Sequence, residues 1–153
     1  MNPSQKDLEY MQIAIQQGKN CPSVDGAYNV GAVITVNGQF ATFGYSRQVP
    51  GNTHAEENAL NALLAKHPKK EYLENVVLYT TMEPCSTRTS GKKSCTDIIL
   101  ECGFISKIFY CVDEPPLFVD CVGKEILVGA GIPVIQIPQL INDCKKLNSH
   151  LFN

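Results

Sequence analysis

The chain has 153 residues, 44% of them hydrophobic and 18% charged, with a formal net charge of −2. That balance excludes a disordered chain, suits one domain over residues 1–153 with a core of its own, and leaves no large basic surface for nucleic acid. No apolar run approaches the roughly 20 residues that span a bilayer, and the polar start Met1-Asn2-Pro3-Ser4 has no signal-peptide core. The cysteines number seven. An odd count in a chain that can bury a core without staples reads as reduced thiols in a cytoplasmic protein, most of them small core residues.

Taken in chain order, Ser4 caps a first helix with Leu8, Met11 and Ile15 on one face and Gly18 as its stop. Residues 30–36 read as a buried strand, and Asn37-Gly38 is a hairpin turn that sends residues 40–45 back antiparallel. After a polar loop, 46–53, a helix runs from His54 to about Lys66, with Thr53 as N-cap, Glu56 three residues on, and Ala55, Ala59, Leu60, Leu63 and Leu64 for a core face. Residues 75–81 form a strand, 95–102 a short helix stopped by Gly103, and 105–112 a strand. A helix over 118–128, a strand over 132–137 and a closing helix over 138–152 complete the chain. Helices alternating with strands after an opening hairpin predict an α/β fold, a central mixed sheet covered by helices on both faces.

Chemistry gathers at element boundaries. His54 and Glu56 open one helix, Glu83-Pro84-Cys85 ends a strand, and Cys95 opens a further helix after a loop of nine residues. Imidazole and thiolate are the donors Zn²⁺ prefers, and three protein ligands leave a tetrahedral site one open position, as in catalytic centres. Helix N-termini beside the metal favour thiolate over thiol. Glu56 then need not be a ligand and is free to move protons. The bland readings are a capping-box glutamate, a surface histidine and core thiols. A four-ligand structural zinc is a further one, with His67 or Cys102 as the fourth donor, although both lie away from the helix starts. What favours the zinc centre is that every component falls at an element end.

The nine residues between the two cysteines, Ser86 to Ser94, hold Arg88, Lys92 and Lys93 among hydroxyl residues around Gly91. A solvated charge run is one account. An anion pocket for a phosphate is the other, with Arg88 as the best single candidate because its planar fork matches phosphate oxygens. In loop 46–53, Asn52 and Thr53 either read a ring edge or serve as turn and cap, and Ser46 and Arg47 are further candidates for the phosphate.

The segments Gly44-Tyr-Ser-Arg-Gln-Val-Pro-Gly-Asn-Thr-His-Ala-Glu56 and Leu78-Tyr-Thr-Thr-Met-Glu-Pro-Cys-Ser-Thr-Arg-Thr-Ser-Gly-Lys-Lys-Ser-Cys95 resemble the zinc-dependent cytidine/deoxycytidylate deaminase superfamily. Within it they are most similar to the pyrimidine deaminases of riboflavin biosynthesis, the fungal type in particular. Weaker similarity runs through residues 112–119 and 129–134. The superfamily pattern is His-x-Glu followed by Pro-Cys-x-x-Cys; here nine residues, not two, separate the cysteines. The resemblance implies a three-layer α/β/α sandwich on a mixed five-stranded sheet, cytidine deaminase-like, forming a homodimer. It implies Zn²⁺ on His54, Cys85 and Cys95, Glu56 as proton shuttle, and Arg88 and Ser90 in the substrate loop, with Lys92 added here from its charge alone. The implied substrate is 2,5-diamino-6-ribitylamino-4(3H)-pyrimidinone 5′-phosphate, whose 2-amino group water replaces. Bacterial relatives continue into a reductase domain and some fungal ones carry an N-terminal domain; this chain is expected to leave reduction to another protein. A small phosphorylated pyrimidine as partner, with no nucleic acid and no membrane, follows. The rivals are another cytosine, cytidine, deoxycytidylate or tRNA deaminase, and a catalytically dead zinc module.

Overall fold

The computed structural model describes residues 2–151, so the last residues assigned to the closing helix, Phe152 with Asn153 after it, lie outside the described residues. Ser4 accepts from the Asp7 N–H and Asp7 accepts from the Ser4 N–H, a reciprocal box that starts α1 (Gln5–Gly18). Strands β1 (Gly31–Val36) and β2 (Gln39–Tyr45) pair antiparallel across the Asn37-Gly38 turn, where both residues take positive φ. Then follow α2 (Ala55–Lys66), β3 (Val76–Met82), α3 (Cys95–Cys102), β4 (Ile105–Val112), α4 (Gly123–Gly129), β5 (Val134–Gln136) and α5 (Ile141–Lys146).

The five strands form one mixed sheet in the order β2-β1-β3-β4-β5, with β3, β4 and β5 parallel and β1 antiparallel to both its neighbours. The pleat sends alternate side chains to opposite faces. Val33, Tyr79, Phe109 and Cys111 pack with Met11 and Ile15 of α1 and Cys144 of α5. Ala32, Ile34, Leu78 and Ile108 pack with Leu60 and Leu63 of α2, Ile99 of α3 and Leu127 of α4. Helices thus cover both faces, and the three-layer sandwich stands.

The register fixes where chemistry can collect. Gly31 pairs with Tyr45, Ala32 with Thr80, and Met82 with Val112. The start of β1 and the ends of β2, β3 and β4 therefore share one edge of the molecule, and the segments that leave them converge there. The N-termini of α2 and α3 follow those segments directly. Two glycines allow the close approaches this needs. A Cβ on Gly44 would lie 2.3 Å from the Ala55 carbonyl oxygen, and one on Gly123 would lie 2.0 Å from that of Pro84.

Several boundaries differ from the sequence expectation, and the strand foreseen over 132–137 shortens to Val134–Gln136. The helix foreseen over 118–128 begins only at Gly123, because residues 118–122 form a segment that folds against the edge just described. The closing helix over 138–152 is a short 3₁₀ turn, Pro138–Leu140, followed by the shorter α5. Beyond α5 the buried Asn148 turns its amide onto the backbone of Asn29, accepting from its N–H at 2.6 Å and donating to its carbonyl at 3.0 Å. The cap of α2 is one residue later than foreseen: His54 is the N-cap, and Glu57, not Glu56, accepts from the His54 N–H at 2.9 Å. The Thr53 hydroxyl instead donates to the Val49 carbonyl at 2.9 Å and accepts from the Asn58 amide at 2.9 Å.

Candidate metal centre and substrate cavity

His54 at the start of α2, Cys85 after β3 and Cys95 at the first position of α3 bring their donor atoms within 4.8 Å of one another. The His54 Nδ1 lies 3.5 Å from the Cys85 Sγ and 3.4 Å from the Cys95 Sγ. A tetrahedral zinc, with Zn–N near 2.05 Å and Zn–S near 2.3 Å, sets its N and S donors about 3.6 Å apart. The side chains already stand at nearly that spacing, so the donor set fits the ion.

The electrostatics point the same way. Among the two thiols, Cys85 ionises first. The Cys95 thiol donates to it, and His54 and the Cys95 N–H, at 3.3 Å, add to the effect against burial. With one thiolate in place, that same Cys85 hydrogen bond and burial hold the Cys95 thiol well above its ordinary range. Two thiolates side by side need a cation between them. Burial disfavours the His54 imidazolium, but the neighbouring Cys85 and Glu56 outweigh it and raise its pKa.

Glu56, the second residue of α2 and only 4% exposed, lines the cavity in front of His54 and Cys85. The capping role falls to Glu57, and the Glu56 carboxyl takes no part in the capping box. Burial first, and then the charge on Cys85, push it up to about 7.

Ser46, Arg47, Asn52, Arg88 and Ser90 also line the cavity. Thr53 and Lys92 do not: the Lys92 ammonium sits on the Gly51 carbonyl, and Lys93 pairs with Glu101 at 2.6 Å on the surface. Arg47, at φ 61°, spends its guanidinium on the carbonyls of Pro22 and Tyr28 and on the Asn29 amide oxygen, which pins segment 22–29 over the cavity. The Ser46 hydroxyl is hydrogen-bonded to the Val30 N–H at 3.0 Å. Arg88 is buried: its Nη1 donates to Glu57 at 3.3 Å and to the Lys93 carbonyl at 3.2 Å, and its Nη2 to the Asn52 carbonyl at 2.8 Å, while its Nε has no partner among the described residues.

Several cavity residues escaped the sequence reading. Tyr28 and Phe118 meet edge to face, with ring centroids 5.3 Å apart, and the Tyr28 hydroxyl donates to the Pro115 carbonyl at 2.9 Å. Glu83 accepts from the Glu114 N–H at 3.1 Å and the Lys124 N–H at 3.2 Å, tying the end of β4 and the start of α4 to the cysteine loop. Burial, then the charge on Cys85, push Glu114 up to about 7. The available signal was topological: loops after parallel strands collect ligands, and Asp113-Glu114 follows β4 as Glu83-Pro84-Cys85 follows β3.

Residues 4–112 match the family model of the cytidine and deoxycytidylate deaminase zinc-binding region. A diaminohydroxyphosphoribosylamino-pyrimidine deaminase of Schizosaccharomyces pombe is 46% identical over 136 residues, 89% of this chain and 33% of that protein. The chain spans about a third of the length of the curated relatives it matches. The crystal structure of Aspergillus oryzae Rib2 deaminase, a C-terminal deletion mutant, superposes with a TM-score of 0.78 at 26% identity, covering 92% of this chain and 88% of that one. The same Aspergillus enzyme in complex with DARIPP shares the fold, with a TM-score of 0.76 at 24% identity over 97% of this chain and 99% of that one.

Proposed function

This chain belongs to the cytidine and deoxycytidylate deaminase family, and from that premise we propose that it deaminates the 2-amino group of a diaminopyrimidinone ribityl 5′-phosphate. Water enters at C2, ammonia leaves, and the product is 5-amino-6-ribitylaminouracil 5′-phosphate. The observation that carries the reading is the donor triad of His54, Cys85 and Cys95 with the Glu56 carboxyl in the same cavity. Likeness to the Schizosaccharomyces deaminase supports the substrate class.

His54, Cys85 and Cys95 hold the ion, and a zinc bound there supplies Lewis-acid activation of water. Glu56 accepts the two protons of the attacking water in turn and passes one to the ring nitrogen and the other to the departing amine, a shuttle that needs a carboxyl beside the metal but not on it. The wall formed by Tyr28, Phe118 and segment 22–29 keeps bulk water from the ring. Asn52 borders the ring. The 5′-phosphate lies against Arg88 and Ser90, with the unpartnered Arg88 Nε as the donor kept for it.

The chain works in the cytoplasm as a homodimer. Leu117, Phe118, Val122, Ile126 and Val128 are all exposed and fall within one stretch of sequence, which a second copy would cover. Light scattering on the purified protein reads the assembly state. Among the described residues no helix is long and apolar enough to cross a membrane.

The test of the activity is ammonia release by the zinc-loaded protein from the ribityl and ribosyl diaminopyrimidinone phosphates, beside cytidine and dCMP. Turnover of either aminopyrimidinone phosphate well above the two cytosine compounds is expected. Preference for dCMP would move the enzyme to another branch of the family.

A further inference from the structure

Among the described residues two buried side-chain polar atoms have no hydrogen-bond partner, the Nε of Arg88 and the Oε2 of Glu114. Both residues line the same cavity. A buried polar atom left unpaired is costly, and two of them on residues that line one cavity point to a ligand that supplies what they lack. One is a donor and asks for an acceptor, which the phosphate provides. The other is a carboxyl oxygen and asks for an N–H.

Glu114 is held firmly in that position. Its own N–H is fixed by Glu83, and the carbonyl of the next residue, Pro115, by the Tyr28 hydroxyl. Glu83 spends both carboxylate oxygens on backbone N–H groups. Glu114 does not, and its carboxyl stands close enough to Glu56 for the two charges to act on each other. The cavity thus carries a second acid besides the proton shuttle.

We propose that Glu114 is the residue that reads the ring, accepting a hydrogen bond from the N3–H and 2-amino edge of a 2-aminopyrimidin-4-one. The proposal rests on the function proposed above and deepens it. That edge presents two donors side by side. A cytosine ring presents one donor, its 4-amino group, beside an acceptor, the N3 lone pair. A carboxylate in a dry wall pairs with the first and repels the second, so Glu114 selects against cytosine rings. It also acts on the product. Deamination replaces the 2-amino donor with a carbonyl oxygen, which meets the carboxylate as one acceptor facing another. The group that recognises the substrate thereby weakens the hold on the product.

Glu114→Gln keeps the size of the side chain and replaces one acceptor by a donor, so substrate and product should respond in opposite senses. In the zinc-loaded protein we expect kcat/KM for the diaminopyrimidinone phosphate to fall about 100-fold. Product inhibition should strengthen, because the glutamine N–H can donate to the new carbonyl. Zinc content should stay at one per chain. Glu114→Asp, which keeps the acid, should retain weak product inhibition and serves if the glutamine variant folds poorly. Substrate and product affinity falling together in Glu114→Gln, or kcat/KM within threefold of wild type, would overturn the assignment while leaving the deaminase reading intact. Wild-type protein that turns over neither aminopyrimidinone phosphate would instead overturn the reading beneath it.

Discussion

Replacing Arg88 by alanine separates two jobs of one side chain, the latch seen in the structure and the phosphate contact proposed above. Its terminal nitrogens lock three segments together: Glu57 at the cap of α2, the Lys93 carbonyl before α3, and the Asn52 carbonyl in loop 46–53. The arginine side chain is 3% exposed and that of Glu57 22% exposed. Each charge-assisted bond is worth about 1.5–3 kcal/mol when lost, but water can reach part of what is left behind, so the net cost is about 3 kcal/mol. In a domain of this size that lowers Tm by about 6–12 °C. Under the proposed function the remaining Nε acts only when a phosphate is present. Arg88→Ala should therefore cut kcat/KM for the phosphorylated substrate about 10- to 100-fold more than for its dephosphorylated form. Calorimetry on the zinc-loaded variant reads the first effect and paired kinetics the second. An unchanged Tm would refute the latch. Equal losses on the two substrates would refute the phosphate contact, and with it the reading of the unpartnered Nε.

Three further outcomes are expected. Glu56→Gln should abolish ammonia release while elemental analysis still finds one zinc per chain, since in the proposed mechanism the carboxyl moves protons and binds no metal; zinc lost together with activity would make it a ligand. Cys85→Ala should lose the metal, whereas Cys111→Ala, buried on the α1 side of the sheet, should keep it, as metal analysis of the two purified proteins will show. Leu63→Ala, fully buried on the inner face of α2, should cost about 2–5 kcal/mol in urea unfolding without changing the zinc content, because the cavity it leaves lies in the core and not at the site.

The strands and the donor triad of His54, Cys85 and Cys95 were legible in the sequence for the same reason. Buried strands such as residues 105–112 are short apolar runs bounded by breakers, and metal donors are rare residue types at element ends. What stayed hidden depends on contacts between distant segments. Phe118 and Val122 have the spacing of a helical face, yet Phe118 lines the cavity against Tyr28 and Val122 gives its N–H to Ser86 at 3.0 Å, so the helix waits for Gly123. Nothing local to residues 118–122 reports those partners. Likewise, three cations between two cysteines read as one basic patch. The fold divides them, sending Arg88 inward and Lys92 and Lys93 to carbonyl and carboxylate partners outside the cavity.

The cap of α2 shows how much rests on one residue of register. With Thr53 as N-cap, Glu56 would be the third helical residue and its carboxyl would be drawn back onto the backbone. With His54 as N-cap, Glu57 takes that position, accepts from the His54 N–H and receives Arg88 on the same oxygen. One hydrogen-bonding group then serves three ends: it closes the helix, fixes the backbone of a metal ligand and anchors the loop between the two cysteines. Glu56, one residue earlier, is left lining the cavity. The sequence alone holds adjacent glutamates with either able to cap. The choice is made by Arg88, which lies in a different loop and becomes buried only when the sheet has brought that loop beside the start of α2.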